Sequence, residues 1–184
     1  MSQAEHIYSG ATDNTVRKID SDGNQVWSFT GNTGNVNGVA VDADGNVYSG
    51  SGDNTLRKID SDGNQVWSFT GHTNIVWSVA VDADGNVYSG SWDNTVRKID
   101  SSGSQVWSFT GHTNRVNGVA VDADGNVYSG GRDNTVRKID SSGSQVWSFT
   151  GHPNRIEGVA VLAYPNLGIV PVPVVTDTGF FAFI

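Results

Sequence analysis

The chain contains no cysteine among its 184 residues, which excludes disulfides and thiolate metal sites. Basic residues are few: 11 Lys and Arg against 19 Asp and Glu give a net charge of −8, and such a field repels nucleic-acid phosphates. No apolar run reaches the roughly 18 residues that a membrane span needs, and no charged-then-apolar leader opens the sequence. We therefore expect no nucleic-acid or membrane partner, and a cytoplasmic or virion-associated protein.

What the chain does contain is a repeat of about 40 residues, a period typical of β-propeller blades. Residues 34–73, 74–113 and 114–153 read nearly alike. Each copy has four short runs rich in β-branched and aromatic residues, separated by Asp, Asn and Gly turns. In the last copy these runs are residues 119–121, 126–128, 135–139 and 145–149. A four-stranded sheet cannot bury both faces alone, so the copies must stack on one another.

Part of each copy resembles a blade of the WD-repeat family. Gly71-His72 and the run DNTVRKID at residues 93–100 carry the resemblance, which covers residues 6–162 and departs at Ile99, where that family usually has Trp. In the family, a buried His, Ser, Asp and Trp form a hydrogen-bonded chain. The resemblance implies a structural network, limited to a triad by the missing Trp, of His72 with Asp93 and Ser89 or Ser91, of His112 with Asp133 and Ser129, and of His152 with Asp13 at the opposite end of the chain.

A second likeness overlaps the first. The run IDSSGSQVW at residues 99–107 is similar in its Asp, Gly and Trp spacing to quinoprotein-type propeller repeats. That likeness implies that the Trp of each outer strand packs between blades: Trp27, Trp67, Trp107 and Trp147. We expect no cofactor, because the disulfide that usually accompanies the quinone needs cysteine, and no metal.

The order of the strands predicts how the chain is assembled. If strands are named a to d from the channel outward, the chain opens on b, c and d, continues with three full sets and ends on a strand a at residues 155–161. Residues 1–162 then form an all-β propeller with four blades of four antiparallel strands per chain. Four blades curve too gently to close a WD-type ring, which has about seven or eight. We predict a homodimer, an eight-bladed ring with exchanged terminal strands; a fragment that stays open or closes differently is the alternative.

Residues 163–184 break the repeat. Pro171 and Pro173 suit an edge strand, and the chain ends on the apolar run FFAFI. We expect a cap or hairpin that packs on the ring, with a docking peptide for a larger assembly as the alternative.

The positions where the copies differ show where the blade is free to vary. They concentrate in three columns at one end of the blade, at the start of strand a and in the b–c turn: Asn35, Ile75, Arg115 and Arg155; Asn37, Trp77, Asn117 and Glu157; Thr12, Gly52, Trp92 and Arg132. In WD-type propellers the matching face usually binds partners, and Trp and Arg are enriched at binding hot spots. The columns predict a binding surface on this top face, with neutral drift at exposed positions as the alternative.

Two patterns that suggest chemistry have simpler explanations. The run DADGN at residues 82–86 resembles the start of a calcium loop, but that loop needs a bidentate Glu at its twelfth position, where Asp93 stands. Asp and Gly at this spacing also suit a hairpin turn. The His, Asp and Ser groups recur in successive copies, which a single hydrolytic site would not require. We therefore predict that the protein is not an enzyme.

The sequence favours a non-enzymatic, oligomeric scaffold that binds an unknown protein partner through its top face. A multivalent lectin with one sugar pocket per blade is the first alternative, since equivalent sites gain from avidity. Against it, Trp77 and Trp92 occur in one blade only. The second alternative is a purely structural product of recent repeat amplification, viral or designed, with no ligand.

Overall fold

The computed structural model describes residues 5–162. Within this range the regular secondary structure consists of β-strands, with no helices. None of the described residues forms a helix that could cross a bilayer. The strands are β1 (His6–Gly10), β2 (Val16–Asp20), β3 (Gln25–Phe29), β4 (Val36–Val41), β5 (Val47–Ser51), β6 (Leu56–Ile59), β7 (Gln65–Phe69), β8 (Val76–Val81), β9 (Val87–Ser91), β10 (Val96–Ile99), β11 (Gln105–Phe109), β12 (Val116–Val121), β13 (Val127–Gly131), β14 (Val136–Ile139) and β15 (Gln145–Phe149).

The strands form four antiparallel sheets in which each strand pairs with its neighbours in sequence. The opening sheet has three strands, β1 to β3, because it lacks a strand a. The second sheet (β4 to β7), the third sheet (β8 to β11) and the fourth sheet (β12 to β15) have four strands each. The prediction of an all-β chain built from antiparallel, blade-like sheets is confirmed.

The predicted strands lie in the right places but stop short at their glycine-bearing ends. Strand β12 begins at Val116 and β13 runs on to Gly131. The ladder between them continues through Gly118, with a bulge between Val116 and Gly118. Glycine has low strand propensity, so backbone pairing sets these ends and side-chain pattern does not reveal them.

Asparagine and aspartate make the turns. The b–c turns place an Asn in the left-handed region, with φ between 63° and 70° at Asn14, Asn54, Asn94 and Asn134, a conformation that Asn tolerates better than most residues. In the a–b turn of the third sheet, Asp82 Oδ1 accepts hydrogen bonds from the backbone N–H groups of Asp84 at 3.0 Å and Asn86 at 2.9 Å. Local polar side chains thus close each hairpin.

The apolar core lies between the sheets. Three clusters of buried side chains each combine residues of two adjacent sheets. The cluster between the third and fourth sheets contains Tyr88, Val96 and Phe109 on one side and Val116, Val119, Val127 and Ile139 on the other. Each sheet therefore depends on its neighbour for the burial that stabilises it.

The outer-strand tryptophans join one sheet to the next. Trp107 Nε1 donates a hydrogen bond to the carbonyl oxygen of Ser141 at 3.1 Å, and its ring lies over Gly143, which has a φ of +92°. The same bond joins Trp27 to Ser61 at 3.0 Å and Trp67 to Ser101 at 3.1 Å. Packing of these three tryptophans between sheets is confirmed. Trp147 belongs to the fourth sheet, which no described sheet follows, and it is 41% exposed.

After β15 the chain returns to lie beside β12 and β13. The Ile156 N–H donates to the carbonyl oxygen of Gly131 at 3.0 Å, as Val36 at the start of β4 does to Ala11. Residues 155–161 therefore occupy the strand-a position of a following sheet. They carry no strand assignment, since the strand with which they were expected to pair is β1 of a second copy's opening sheet, and the chain's own β1 lies at its other end. The predicted cap or hairpin at residues 163–184 lies outside the described residues.

Replacing Gly143 by Ala is expected to destabilise the protein by about 2–4 kcal/mol, from a left-handed backbone penalty and overpacking. An added Cβ would lie 2.8 Å from the Trp107 ring. Gly125→Ala is the matched control, since its φ is +78° but its nearest neighbour would be 3.5 Å away. Urea unfolding at one protein concentration measures both. Equal losses in the two variants would show that the tryptophan contact contributes nothing.

Candidate binding face and its supporting network

A buried His–Asp pair fixes the b–c turn of the third sheet. His72 Nδ1 lies 2.8 Å from Asp93 Oδ2, and His72 Nε2 lies 2.8 Å from Ser89 Oγ. The structure thus brings His72, Asp93 and Ser89 together. Ser91, the other candidate, instead donates to the carbonyl oxygen of Asn74 at 3.0 Å.

Thr95 adds a fourth member, so the expectation of a triad is wrong. Thr95 Oγ1 donates to Asp93 Oδ1 at 2.7 Å. Arg97 Nε donates to Thr95 Oγ1 at 3.2 Å, and its Nη1 donates to Gln105 Oε1 at 2.7 Å. A hydroxyl and a guanidinium group therefore extend the chain of hydrogen bonds where Ile99 cannot. The recurrence of Thr and Arg at this spacing was the signal that pattern reasoning missed.

The fourth sheet repeats this network. His112 Nδ1 lies 2.9 Å from Asp133 Oδ2, and its Nε2 lies 2.8 Å from Ser129 Oγ. Thr135 Oγ1 donates to Asp133 Oδ1 at 2.8 Å. Both histidine side chains have no exposed surface, so these groups are closed off from any substrate.

The second sheet carries a variant of the network, because Asn32 stands where the three later equivalent positions have His. Asn32 Oδ1 accepts a hydrogen bond from Arg57, which also pairs with Asp53 at 2.9 Å. The Asn32 amide does not make the hydrogen bond to the strand-b Ser that the Nε2 of histidine makes in the third and fourth sheets. Asn32 Nδ2 and Ser49 Oγ are both buried with no hydrogen-bond partner in the described chain. The imidazole of the third and fourth sheets therefore connects the Asp of the b–c turn to the Ser of strand b, with one ring nitrogen hydrogen-bonded to each.

His152 and Asp13, the last predicted pair, lie at opposite ends of the row of sheets. His152 is exposed and meets Phe149 edge-on, with ring centroids 5.5 Å apart. Asp13 is also exposed; it accepts a hydrogen bond from Thr15 Oγ1 at 2.6 Å and pairs with Arg17 at 2.9 Å.

Burial and hydrogen bonding shift the pKa values of the network's carboxyl groups and of His112. Burial tends to raise the pKa of Asp93, but hydrogen bonds from His72 and Thr95 outweigh it and hold the pKa well below its ordinary value. Burial lowers the pKa of His112, and the nearby Asp133 carboxylate only partly offsets that effect. At neutral pH the carboxylates are ionised, and the His112 ring is neutral.

The first and third variable columns meet at one end of each complete sheet. Backbone N–H groups of the third column donate to carbonyl oxygens of the first: Gly52 to Asn35 at 2.7 Å, Trp92 to Ile75 at 2.9 Å, and Arg132 to Arg115 at 2.8 Å. Asp93 directly follows Trp92, and Asp133 directly follows Arg132. The network therefore holds the turns that present the variable side chains.

Four of these side chains form a cluster across the third and fourth sheets, here called the top-face cluster: Trp77, Trp92, Arg115 and Arg132. The two indole rings stack with centroids 4.9 Å apart and an angle of 20°. The guanidinium carbon of Arg115 lies 4.0 Å from the Trp92 ring centroid, and that of Arg132 lies 5.7 Å from it. Cation–π attraction and stacking thus hold the cluster together.

The charges of this cluster are not neutralised within residues 5–162. Arg115 and Arg132 form no salt bridge there, whereas every other arginine of the chain pairs with a carboxylate. Trp92 Nε1 and Arg132 Nε are buried without a hydrogen-bond partner in the same range. Buried polar groups are normally paired, so the cluster contains two unsatisfied donors besides its positive charge.

The second column divides between two roles. Asn37 and Asn117 donate through Nδ2 to carbonyl oxygens of the next strand a, at Val76 (3.3 Å) and Ile156 (2.9 Å). They link adjacent sheets, and Asn117, at 5% exposed, cannot form part of an exposed binding surface. Trp77 stands in the same column but is 37% exposed.

The exchange of Asn for Trp77 is accompanied by a second change. Ser78 follows it where the other copies have glycine, and Ser78 Oγ accepts a hydrogen bond from the Val119 N–H at 3.1 Å. A bond between neighbouring sheets is thus retained.

The remaining column members lie outside the top-face cluster and differ in exposure. Thr12 and Asn35 are exposed, Gly52 and Ile75 are half-buried, and Arg155 and Glu157 are exposed and paired with each other. The run at residues 82–86 serves its hairpin: Asp82 Oδ2 accepts hydrogen bonds from Asn86 at 2.9 Å and Tyr88 at 2.8 Å. No residue group suited to holding a metal ion occurs in the described range.

Comparison with known proteins gives one family. Residues 12–116 and residues 53–167 each match the family model described as outer membrane protein assembly factor BamB. The two matches overlap, as expected for a repeat, and together they span most of the chain. A comparison with curated proteins found no match.

Replacing Asn32 by His is expected to stabilise the protein by about 1 kcal/mol, the net value of a new intramolecular hydrogen bond. The imidazole would reach Ser49 Oγ, which has no partner in the described chain. His72→Asn, the reverse change in the next copy, is the control and should destabilise by a similar amount. Urea unfolding measures both; a loss of stability in Asn32→His would contradict the assigned role of the ring.

The His112 network predicts a pH dependence. The folded state holds the ring neutral below its ordinary pKa of about 6.5, whereas the unfolded chain binds a proton there, so stability falls as the pH is lowered from about 7 to 5. His112→Asn removes this dependence, and the stability difference between wild type and variant should shrink over that range. Unfolding curves at stepwise pH measure it. A difference that grows on acidification would mean that the folded state prefers the charged ring.

Proposed function

Because the chain belongs to the β-propeller repeat family whose model is described as outer membrane protein assembly factor BamB, we propose that it is a non-enzymatic scaffold that binds a protein partner on its top-face cluster. Its sheets combine a WD-type His–Asp–Ser network with a quinoprotein-type outer strand. The observation that carries the proposal is the pair Arg115 and Arg132, which have no carboxylate partner within residues 5–162 and lie beside two stacked indoles.

The chemistry of the cluster specifies the partner. Guanidinium groups bind carboxylates in a planar, bidentate geometry, and Trp77 offers an exposed apolar ring next to them. The preferred ligand is a protein segment with an Asp or Glu beside an apolar side chain. The chain's net charge of −8 repels acidic segments elsewhere, so attraction is concentrated at this site.

Two further features favour binding over catalysis and over sugar recognition. The His72 and His112 side chains are fully buried and already hydrogen-bonded on both nitrogens, which supports a structural role. The cluster occurs once, at the junction of the third and fourth sheets, whereas a multivalent lectin would repeat its pocket in every sheet. A single protein partner fits this arrangement better.

Affinity selection from a random peptide library tests the proposal. We expect the selected peptides to be enriched in Asp or Glu next to apolar residues. Trp92→Ala and Arg115→Ala should each weaken binding of a selected peptide at least about tenfold, as truncation of a hot-spot residue does.

Asn35→Ala is the matched control, because Asn35 stands in the same column as Arg115 but outside the cluster. It should leave the affinity unchanged. Peptides that bind the Trp92→Ala variant as tightly as the wild type, or glycans selected in a parallel array with no peptide enrichment, would refute the proposal.

A further inference from the structure

We infer that a second copy of the chain packs its opening sheet on the fourth sheet and residues 155–161 of the first, and that two such junctions close a ring. The junction would also complete the fourth His–Asp network, which one chain leaves divided between His152 and Asp13. This inference is independent of the top-face cluster.

The fourth sheet presents an unfinished face. Phe149 is 51% exposed, whereas Phe109, its equivalent one copy earlier, is 8% exposed. Trp147 is 41% exposed and has, within residues 5–162, no carbonyl acceptor like the one that Trp107 finds in Ser141. Ile156 already packs against Gly130 with only 7% of its surface exposed, so half of the next core is in place.

The opening sheet presents the opposite unfinished face. Ile7 of β1 is 53% exposed, whereas Val47, Val87 and Val127, its equivalents, are fully buried. The turn at Gly23 has a φ of +86° and nothing within 4 Å of an added Cβ. At the equivalent positions, Gly63, Gly103 and Gly143, an added Cβ would lie between 2.8 Å and 3.1 Å from a tryptophan ring of the preceding sheet.

The repeat fixes the register in which these two faces fit. By equivalence with the Trp107–Ser141 bond, Trp147 Nε1 of one copy meets the Ser21 carbonyl oxygen of the other. By equivalence with His112, Asp133 and Ser129, His152 meets Asp13 and Ser9. Residues 155–161 then pair with β1, as β12 pairs with β13, and supply the strand a that the opening sheet lacks.

A second copy is the occupant because the two matching faces do not meet within one chain. Ile7 and Phe149 both remain about half exposed in the single chain. A head-to-tail contact of this kind leaves an open edge unless it closes on itself, and two identical junctions close the ring with two-fold symmetry.

Light scattering on the full chain after size-exclusion chromatography tests the inference. The expected mass is twice the 19.5 kDa of one chain. A mass of 19.5 kDa, whether the faces are covered by residues 163–184 or by nothing, would overturn the inference. A mass of three or more chains would equally overturn closure by two copies.

Two variants locate the junction. Trp147→Ala and Gly23→Ala change residues that lie on opposite sides of it, and each should raise the dimer dissociation constant at least about thirtyfold, as loss of a hot-spot contact does. Trp107→Ala is the matched control, because it removes the same side chain from a junction inside one chain. It should lower resistance to urea while the mass stays that of a dimer. A dimer unaffected by Trp147→Ala and Gly23→Ala would place the interface elsewhere.

Discussion

Burial of apolar side chains between adjacent sheets is the constraint on which this molecule depends. No described sheet has a core of its own; the second and third sheets each contribute to a cluster on both faces, and the opening and fourth sheets each contribute to one. The other long-range contacts follow the same direction, since Trp107 bonds to the next sheet and Asn37 reaches the next strand a. The stability of the fold therefore depends mainly on the packing between adjacent sheets, as in other repeat proteins.

In each b–c turn, the anchored Asp and the variable residue before it have different roles. Within each complete sheet, the Asp of the b–c turn is anchored by buried hydrogen bonds, and the residue just before it is free to change. Trp92 and Arg132 occupy that position next to Asp93 and Asp133. A fixed frame thus presents variable side chains, which is how loops on rigid scaffolds commonly acquire binding roles.

The sequence was sufficient to predict the features that lie within one copy and recur in the others. Strand positions and turn chemistry follow from spacings that recur at a constant offset, and the resemblance to the WD-repeat family implied the proximity of His72 to Asp93. Three features were not predictable in this way: the burial of Asn117, the hydrogen bond from Val119 to Ser78, and the lack of a partner for Ser49 among residues 5–162. They depend on how closely neighbouring sheets approach, which no pattern inside one copy encodes.

The near-identity of the sheets also bears on how the chain reaches its final arrangement. A sheet that forms early has nearly the same packing face as the other sheets of the chain. During synthesis or refolding, it can therefore pack with comparable affinity on a sheet that is not its neighbour in sequence. Skipped-neighbour pairings then become kinetic traps whose escape requires complete separation of two sheets. Only the short linkers between consecutive copies favour the correct order of pairing, because they keep neighbouring sheets close together.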